Sequence, residues 1–118
     1  MARTVVIVDD HASFRASARK LLEVEGYEVV GEAADAASAV ATVHRLSPDL
    51  VLLDVVLPGG TGFDVAEQLA DSGAEVVLVS SRDRSDLGPR LKRTKAAGFI
   101  PKDELSGETL AALLPELT

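Results

Sequence analysis

Residues 4–10 have the sequence Thr-Val-Val-Ile-Val-Asp-Asp, in which five residues suited to a strand are followed by two carboxylates. An apolar, largely β-branched run without alternating polar residues is typical of a parallel strand that is covered on both faces. The same arrangement returns at residues 50–54, where Leu-Val-Leu-Leu precedes Asp54. The pattern therefore indicates buried strands that carry acidic side chains at their carboxyl ends.

Strand-like runs and helical patterns alternate along the rest of the chain. Further apolar runs lie at residues 27–30, 76–79 and 99–100, and amphipathic helical patterns separate them. Such alternation predicts βαβ units with right-handed crossovers and a parallel sheet. We expect an α/β fold with three layers, a (βα)5 flavodoxin-like doubly wound parallel sheet with strand order 2-1-3-4-5.

Two helices contain sequence features that interrupt a regular pattern. Gly88-Pro89 falls where the fourth helix would otherwise run, so we expect that helix to begin at or after Pro89. The last helix is predicted around Leu110 to Leu117 and is disturbed by Pro115.

Length and composition exclude several classes of protein. With 118 residues, 47% of them apolar, the chain is predicted to form a single domain over residues 1–118. The absence of cysteine excludes disulfides, thiolate metal sites and cysteine nucleophiles. A net charge of -7 would repel a phosphate backbone, so we expect no direct binding of nucleic acid. The apolar runs are too short for a signal sequence or a membrane span, which favours a cytoplasmic protein without a membrane partner.

Polar side chains that can carry chemistry follow four of the five predicted strands. They are Asp9 and Asp10 after the first strand, Asp54 after the third, Ser80 after the fourth and Lys102 after the fifth. The predicted strand order makes the first and third strands neighbours, and ligands bind beyond the carboxyl ends of strands at that point. We therefore expect the three carboxylates to lie within a few ångström of one another.

Three clustered carboxylates create a problem of charge repulsion. Two carboxylates about 5 Å apart repel by roughly 3 kcal/mol at an effective dielectric constant near 20, so the cluster needs protons or a cation. Mg²⁺ prefers oxygen ligands and commonly combines one or two carboxylates with phosphate oxygens. Beside such an ion, Asp54 can attack a phosphoryl group and form an aspartyl phosphate. Lys102 can then pair with Asp54 or its phosphate, and the Ser80 hydroxyl can donate to a phosphate oxygen.

Each of these residues also has a simpler interpretation. An acidic pair after a strand is often a helix cap, Ser80 alone would be a turn hydroxyl, and Lys102 alone would be a solvated amine. The predicted arrival of all of them at one sheet edge favours the phosphoryl-transfer interpretation.

Four segments carry a resemblance to a known family. They are Val-Asp-Asp-His at residues 8–11, Leu-Asp-Val-Val-Leu-Pro-Gly at residues 53–59, Val-Ser-Ser at residues 79–81 and Gly-Phe-Ile-Pro-Lys at residues 98–102. In combination they resemble bacterial response-regulator receiver domains of two-component systems, and the resemblance covers the whole chain.

The resemblance implies a phosphoryl-accepting signalling switch. Asp54 would receive the phosphoryl group from a sensor histidine kinase or a phosphotransfer protein. Asp9 and Asp10 would bind Mg²⁺ together with Asp54 and the Val56 backbone carbonyl, and Lys102 would contact the phosphate. Such a domain is not an enzyme, since it catalyses at most its own phosphorylation and dephosphorylation.

The resemblance also implies how phosphorylation would change the surface of the domain. Ser80 would be the switch hydroxyl, and Phe99 would change rotamer and remodel the surface of the fourth helix, the fifth strand and the fifth helix. The alternative interpretation is that Phe99 is a core residue without a switching role. The downstream protein cannot be read from the sequence, and a homodimer is left open. His11 resembles the residue that follows the acidic pair in regulators with helix-turn-helix outputs. No helix-turn-helix module follows Thr118 in this sequence, so we expect a receiver that stands alone or was cut from a longer regulator.

Two departures from the family pattern lead to structural expectations. The 26-residue spacing from Asp54 to Ser80 is short, which predicts a clipped third helix or loop. Many members have a cis Lys-Pro bond, whereas Asp103 follows Lys102 here, and a cis bond at that position would cost about 3 kcal/mol.

Two other functions compete with the switch. One is a receiver-like interaction module that works without phosphate, which the interrupted fourth helix leaves open. The other is an aspartyl-phosphate phosphatase of the haloacid-dehalogenase type, in which the nucleophile follows the first strand and a second Asp comes two residues later. Here Asp9 and Asp10 are adjacent and the nucleophile candidate follows the third strand, which disfavours the phosphatase.

Overall fold

A computed structural model of the chain describes residues 2–82 and 84–114. The elements in chain order are β1 (Thr4–Val8), α1 (Ala12–Val24), β2 (Glu28–Ala33), α2 (Ala36–Leu46), β3 (Leu50–Asp54), β4 (Val56–Leu57), β5 (Gly60–Thr61), α3 (Gly62–Gln68), β6 (Glu75–Ser80), α4 (Arg84–Leu87), α5 (Pro89–Arg93), β7 (Gly98–Pro101), a 3-10 turn (Lys102–Glu104) and α6 (Gly107–Leu113).

Five strands form one parallel sheet in the order β2-β1-β3-β6-β7. With the two short strands β4 and β5 set aside, this is the order 2-1-3-4-5, and the predicted flavodoxin-like α/β fold is confirmed. The register pairs Val8 with Leu53 and Leu53 with Leu78, so the carboxyl ends of the three central strands are level. Side chains that follow these strands therefore meet at one edge of the sheet.

The sheet is buried on both faces, as the continuous apolar runs predicted. In β1, Val5 and Ile7 belong to one hydrophobic cluster, Val6 and Val8 belong to the other, and none of the four is exposed. Helices α1 and α6 cover the face that carries Val5 and Ile7, and α2 to α5 cover the face that carries Val6 and Val8. The three layers hold the strand ends rigidly, because close-packed interiors resist displacement of the backbone.

Local signals explain where the helices near the site begin. Asp35 caps α2 by accepting a hydrogen bond from the Ser38 backbone N–H at 2.8 Å. Thr61 caps α3 in the same way through the backbone N–H of Asp64. The short spacing between Asp54 and Ser80 predicted a clipped third helix or loop, and α3 has seven residues.

The fourth helix departs from its prediction. The start of α5 at Pro89 agrees with the expectation, but a helical turn, α4, precedes it and was not expected. Gly88 has a φ of 52° and separates α4 from α5, because a positive φ is available to glycine at little steric cost. The glycine thus splits the fourth helix into two short pieces.

Other expectations about the backbone have simple outcomes. The antiparallel pair β4 and β5 was not predicted from the sequence. Residues 2–82 and 84–114 contain no cis peptide bond, so the Lys102–Asp103 bond is trans. Pro115 and Leu117, expected in the last helix, lie outside the described residues. None of the helices in the described part of the chain is long and apolar enough to span a membrane.

Candidate functional site

The sheet register brings the candidate residues to one edge. Asp9 follows β1 directly, Asp54 ends β3, and Ser80 ends β6 opposite Pro101 of β7, which Lys102 follows. One ligand atom from each of four side chains lies within 4.8 Å of the others, and these side chains belong to Asp9, Asp10, His11 and Asp54. The predicted convergence of the three carboxylates is therefore present.

Asp9 is fully buried, and both its backbone N–H and its backbone carbonyl form hydrogen bonds. Its N–H donates to Ala33 O at 3.0 Å, and its carbonyl accepts from Arg15 Nη1 at 2.6 Å. Its Oδ1 accepts a hydrogen bond from the His11 backbone N–H at 2.8 Å. Oδ2 lies 2.6 Å from Lys102 Nζ, but the contact is an ion pair without hydrogen-bond geometry, and Oδ2 has no hydrogen-bond partner among the described residues. One buried oxygen of Asp9 is thus compensated by the charge of Lys102 and not by a hydrogen bond.

Asp54 is 4% exposed, and its two carboxylate oxygens form only long hydrogen bonds. The Val56 backbone N–H is 3.5 Å from Oδ1, and Lys102 Nζ is 3.5 Å from Oδ2. Burial raises the pKa of Asp54 to about 6, with a further contribution from the negative charge of Asp9, against the opposing effects of Lys102 and the Val56 N–H. Desolvation and repulsion together outweigh the nearby ammonium group.

Without a divalent cation, Asp54 is expected to make stability depend on pH. Its folded pKa of about 6 lies above the ordinary 3.8, so its contribution to stability is fully present below about pH 4 and is lost as pH rises through about 6. Two pKa units correspond to roughly 3 kcal/mol. In the presence of chelator, urea unfolding should show Asp54→Asn gaining stability over wild type by about this amount between about pH 4 and pH 7. A difference that stays constant with pH would contradict this cause.

Lys102 is held in place by three groups. Its side chain is 17% exposed, its Nζ contacts the carboxylates of Asp9 and Asp54, and the ammonium group lies 4.5 Å from the centroid of the Phe14 ring. A cation over an aromatic face is attracted by the ring quadrupole. The aromatic contact comes from the first turns of α1, and it restricts where the ammonium group can lie.

Asp10 and His11 complete the cluster at its outer side. His11 Nδ1 lies 3.1 Å from Asp9 Oδ1 and 3.1 Å from Asp10 Oδ1. Asp10 and His11 are more exposed than Asp9, so solvent and small ions reach the cluster from this direction.

The structure places Ser80 and Phe99 near the site but outside the carboxylate cluster. Ser80 is buried, and its Oγ accepts a hydrogen bond from the Arg82 backbone N–H at 3.0 Å, so it is a turn hydroxyl in this structure. Phe99 is 3% exposed and pairs with Leu78 in the strand register. Leu87 and Leu91 pack against the cluster that contains it.

Gly62 brings the start of α3 into contact with the backbone that carries Asp54. Its N–H donates to Val55 O at 2.6 Å. A Cβ added at Gly62 would lie within 3.0 Å of Asp54 O, Asp54 C and Val55 Cα, which are backbone atoms that cannot move aside easily. The close approach of two backbones here requires glycine.

Sequence patterns did not identify three residues that shape the site, namely Phe14, Arg15 and Gly62. Phe14 was expected only on the core-facing side of the first helix, and no local pattern links it to Lys102. Arg15 acts through its hydrogen bond to the Asp9 carbonyl, and Gly62 acts because two backbones approach closely there. A pattern of residue types records neither kind of contact.

The residues present are suited to a divalent cation. Lys102 supplies one positive charge against three carboxylates, and the buried Asp9 Oδ2 has no hydrogen bond among the described residues. Hard divalent cations take oxygen ligands of this kind. The chemistry of the donor set therefore fits the Mg²⁺ ion that the sequence suggested.

Comparison with known proteins agrees with the geometry. Residues 5–114 match the family of the response regulator receiver domain. The nitrate/nitrite response regulator protein NarP of Escherichia coli K12 is 39% identical over 102 residues, which are 84% of this chain and 47% of NarP. The transcriptional regulatory protein PdtaR of Mycobacterium tuberculosis H37Rv is 36% identical over 101 residues, which are 85% of this chain and 49% of PdtaR. The chain thus spans about half the length of these curated relatives.

Solved structures show the same likeness in three dimensions. The signal receiver domain of a NarL response regulator from Mycobacterium tuberculosis has a TM-score of 0.85 at 34% identity, covering 98% of this chain and 96% of that one. A LuxR-family two-component response regulator from Aurantimonas sp. SI85-9A1 has a TM-score of 0.87 at 29% identity, covering 99% and 86%. This chain belongs to the response regulator receiver domain family of two-component systems.

Proposed function

We propose that the chain is a phosphoryl-accepting switch in which Asp54 is the phosphorylated residue. The observation that carries the proposal is the position of Asp54: a buried carboxylate at the end of a central strand, with a second carboxylate and a lysine ammonium around it. A histidine kinase or a phosphotransfer protein is the proposed donor, and the cytoplasm is the proposed location.

The proposed cation is Mg²⁺, with Asp9, Asp10, Asp54 and the Val56 backbone carbonyl as its ligands. A bound divalent cation offsets the charge of the carboxylates and of the transferring phosphoryl oxygens. The clustering of these carboxylates against the single positive charge of Lys102 supports this assignment.

The transfer itself requires an ionised Asp54. With a pKa of about 6, most of the protein carries the carboxylate at neutral pH. An Oδ atom forms a bond to phosphorus while the bond from phosphorus to the donor's imidazole nitrogen breaks and leaves its electron pair on that nitrogen. Lys102, 3.5 Å from Asp54 Oδ2, is positioned to pair with an oxygen of the resulting acyl phosphate.

The proposed response involves Ser80 and Phe99. The Ser80 oxygen accepts a hydrogen bond from Arg82, so its O–H can still donate to a phosphoryl oxygen on Asp54. Phe99 lies beside a groove of about 180 Å³ between β7 and α6. A shift of the Phe99 ring would change the surface formed by α4, α5, β7 and α6, which we propose as the surface read by a downstream protein.

We further propose that residues 1–118 form one receiver domain that does not contact nucleic acid directly. The net charge of -7 supports this, since it repels a phosphate backbone. The chain acts stoichiometrically on itself and is not proposed to turn over a separate substrate.

Intact mass measurement after incubation with acetyl phosphate tests the proposal. With Mg²⁺ the wild-type chain is expected to gain the mass of one phosphoryl group, and with EDTA it is expected to gain none. Borohydride reduces an acyl phosphate to an alcohol, so peptide mapping should find residue 54 converted to homoserine. No gain in mass, or homoserine at another position, contradicts the proposal. Sustained release of phosphate from a phosphomonoester would favour a phosphatase instead.

A further inference from the structure

His11 contributes an atom to the cluster that the proposed Mg²⁺ ligands do not include. Its side chain is 66% exposed, yet Nδ1 turns inward and lies 3.1 Å from one carboxylate oxygen of Asp9 and 3.1 Å from one of Asp10. At this distance the imidazole nitrogen either donates a hydrogen bond to the carboxylate oxygen or shares a cation with it. The imidazole nitrogen thus faces two of the carboxylates that are the proposed cation ligands.

The spacing of these atoms matches the geometry of metal ligands. Two ligands about 2.1 Å from one ion and at right angles to each other are about 3.0 Å apart, and opposite ligands are about 4.2 Å apart. Nδ1 and each of the two oxygens are separated by the shorter of these distances. The candidate ligand atoms of Asp9, Asp10, His11 and Asp54 all lie within 4.8 Å of one another, a limit above the longer distance, so small side-chain movements would bring them around one ion.

A second observation concerns the buried side of the Asp9 carboxylate. Asp9 Oδ2 is buried, has no hydrogen bond among the described residues and lies 2.6 Å from the Lys102 ammonium group. The other oxygen of the same carboxylate, Oδ1, lies 3.1 Å from His11 Nδ1. The carboxylate therefore joins the buried part of the cluster to the imidazole.

We propose that His11 is a further ligand of the divalent-cation site and shifts its preference from Mg²⁺ toward ions that accept imidazole. The proposal rests on the cation site proposed above and names the class of ion that this site takes. Imidazole binds Co²⁺, Ni²⁺ and Zn²⁺ well, whereas Mg²⁺ strongly prefers oxygen. A site of three carboxylates and one imidazole should therefore bind first-row transition metals more tightly than a site of carboxylates alone.

Competition between Co²⁺ and Mg²⁺ tests the proposal, with Co²⁺ binding followed by visible absorption. Wild-type protein is expected to bind Co²⁺ at least tenfold more tightly than Mg²⁺. His11→Ala and His11→Phe are each expected to lose about tenfold or more in Co²⁺ affinity, with the Mg²⁺ affinity changing less than about twofold. His11→Phe keeps a ring of similar size, so agreement of the two variants separates loss of the nitrogen from a packing effect. His44→Ala is the matched control, since His44 is the other histidine of the chain and is exposed on α2.

Pulsed electron paramagnetic resonance of the Mn²⁺-loaded protein gives a direct readout of the ligand. A coordinated imidazole should produce nitrogen modulation of the spin echo in wild type and in His44→Ala, and none in His11→Ala. Absence of this modulation in wild type, or equal loss of Co²⁺ and Mg²⁺ affinity in the His11 variants, overturns the proposal. Tighter binding of both ions in those variants also overturns it, because the imidazole would then occupy the place of the cation.

The same samples separate this proposal from the proposed function. If Mg²⁺ binds and Asp54 is phosphorylated while the His11 variants bind metals as wild type does, only the role of His11 fails. If neither ion binds and Asp54 takes no phosphoryl group, the cation site itself fails and His11 with it.

Discussion

The Asp54→Asn variant is expected to take up no phosphoryl group from acetyl phosphate and Mg²⁺ under conditions in which the wild-type chain is modified. The amide nitrogen and oxygen of asparagine are far poorer nucleophiles than a carboxylate, and the product would lack the acyl phosphate bond. The buried position should keep the substituted side chain in the same place, because asparagine has nearly the same size and shape as aspartate. The loss would therefore reflect chemistry and not misfolding.

Intact mass spectrometry with a matched control makes this prediction specific. Asp71→Asn changes the same functional group at an exposed position in the loop after α3, and it should be modified to the same extent as wild type. Urea unfolding of both variants checks that each is folded. Equal incorporation by Asp54→Asn and wild type would remove Asp54 from its proposed role.

The Gly62→Ala variant is expected to lose about 1–3 kcal/mol or more in the free energy of unfolding. The added Cβ would meet the backbone of Asp54 and Val55, and both belong to the rigid segment at the end of β3. The clash can be relieved only by moving α3 or the end of β3. Since that movement displaces Asp54, phosphoryl uptake should fall together with stability.

Gly107→Ala is the matched control for this steric argument. A Cβ at Gly107 meets the carboxylate end of Glu25, an exposed and flexible side chain that can turn away. Its free energy of unfolding should change by less than about 0.5 kcal/mol. Similar losses in both glycine variants, measured by urea unfolding, would show that the contact with the Asp54 backbone is not the cause.

Much of the fold could be predicted because its signals are local. A strand buried on both faces needs an unbroken apolar run, and residues 4–8 form such a run in the sequence. The general rules for parallel sheets then predict the order of the strands and the meeting of their carboxyl ends. The approach of Asp9 to Asp54, 45 residues apart in the chain, followed from these rules and is present.

Helix boundaries were less predictable where two local preferences compete. Proline favours the first turn of a helix, which correctly placed the start of α5 at Pro89. It carries no information about residues 84–87, which form a helical turn of their own because Gly88 lets the chain change direction before the proline.

The residue types and their order were thus sufficient to predict a parallel α/β sheet with an acidic cluster, a hydroxyl and an amine at one edge. Folding was needed to establish that Lys102 contacts Asp9 more closely than Asp54, that Phe14 lies against its ammonium group, and that His11 turns its nitrogen inward. Such contacts depend on rotamers and on distances of a few ångström between segments far apart in the chain. A sequence pattern records which faces are apolar, but only packing in three dimensions selects the side chains that touch.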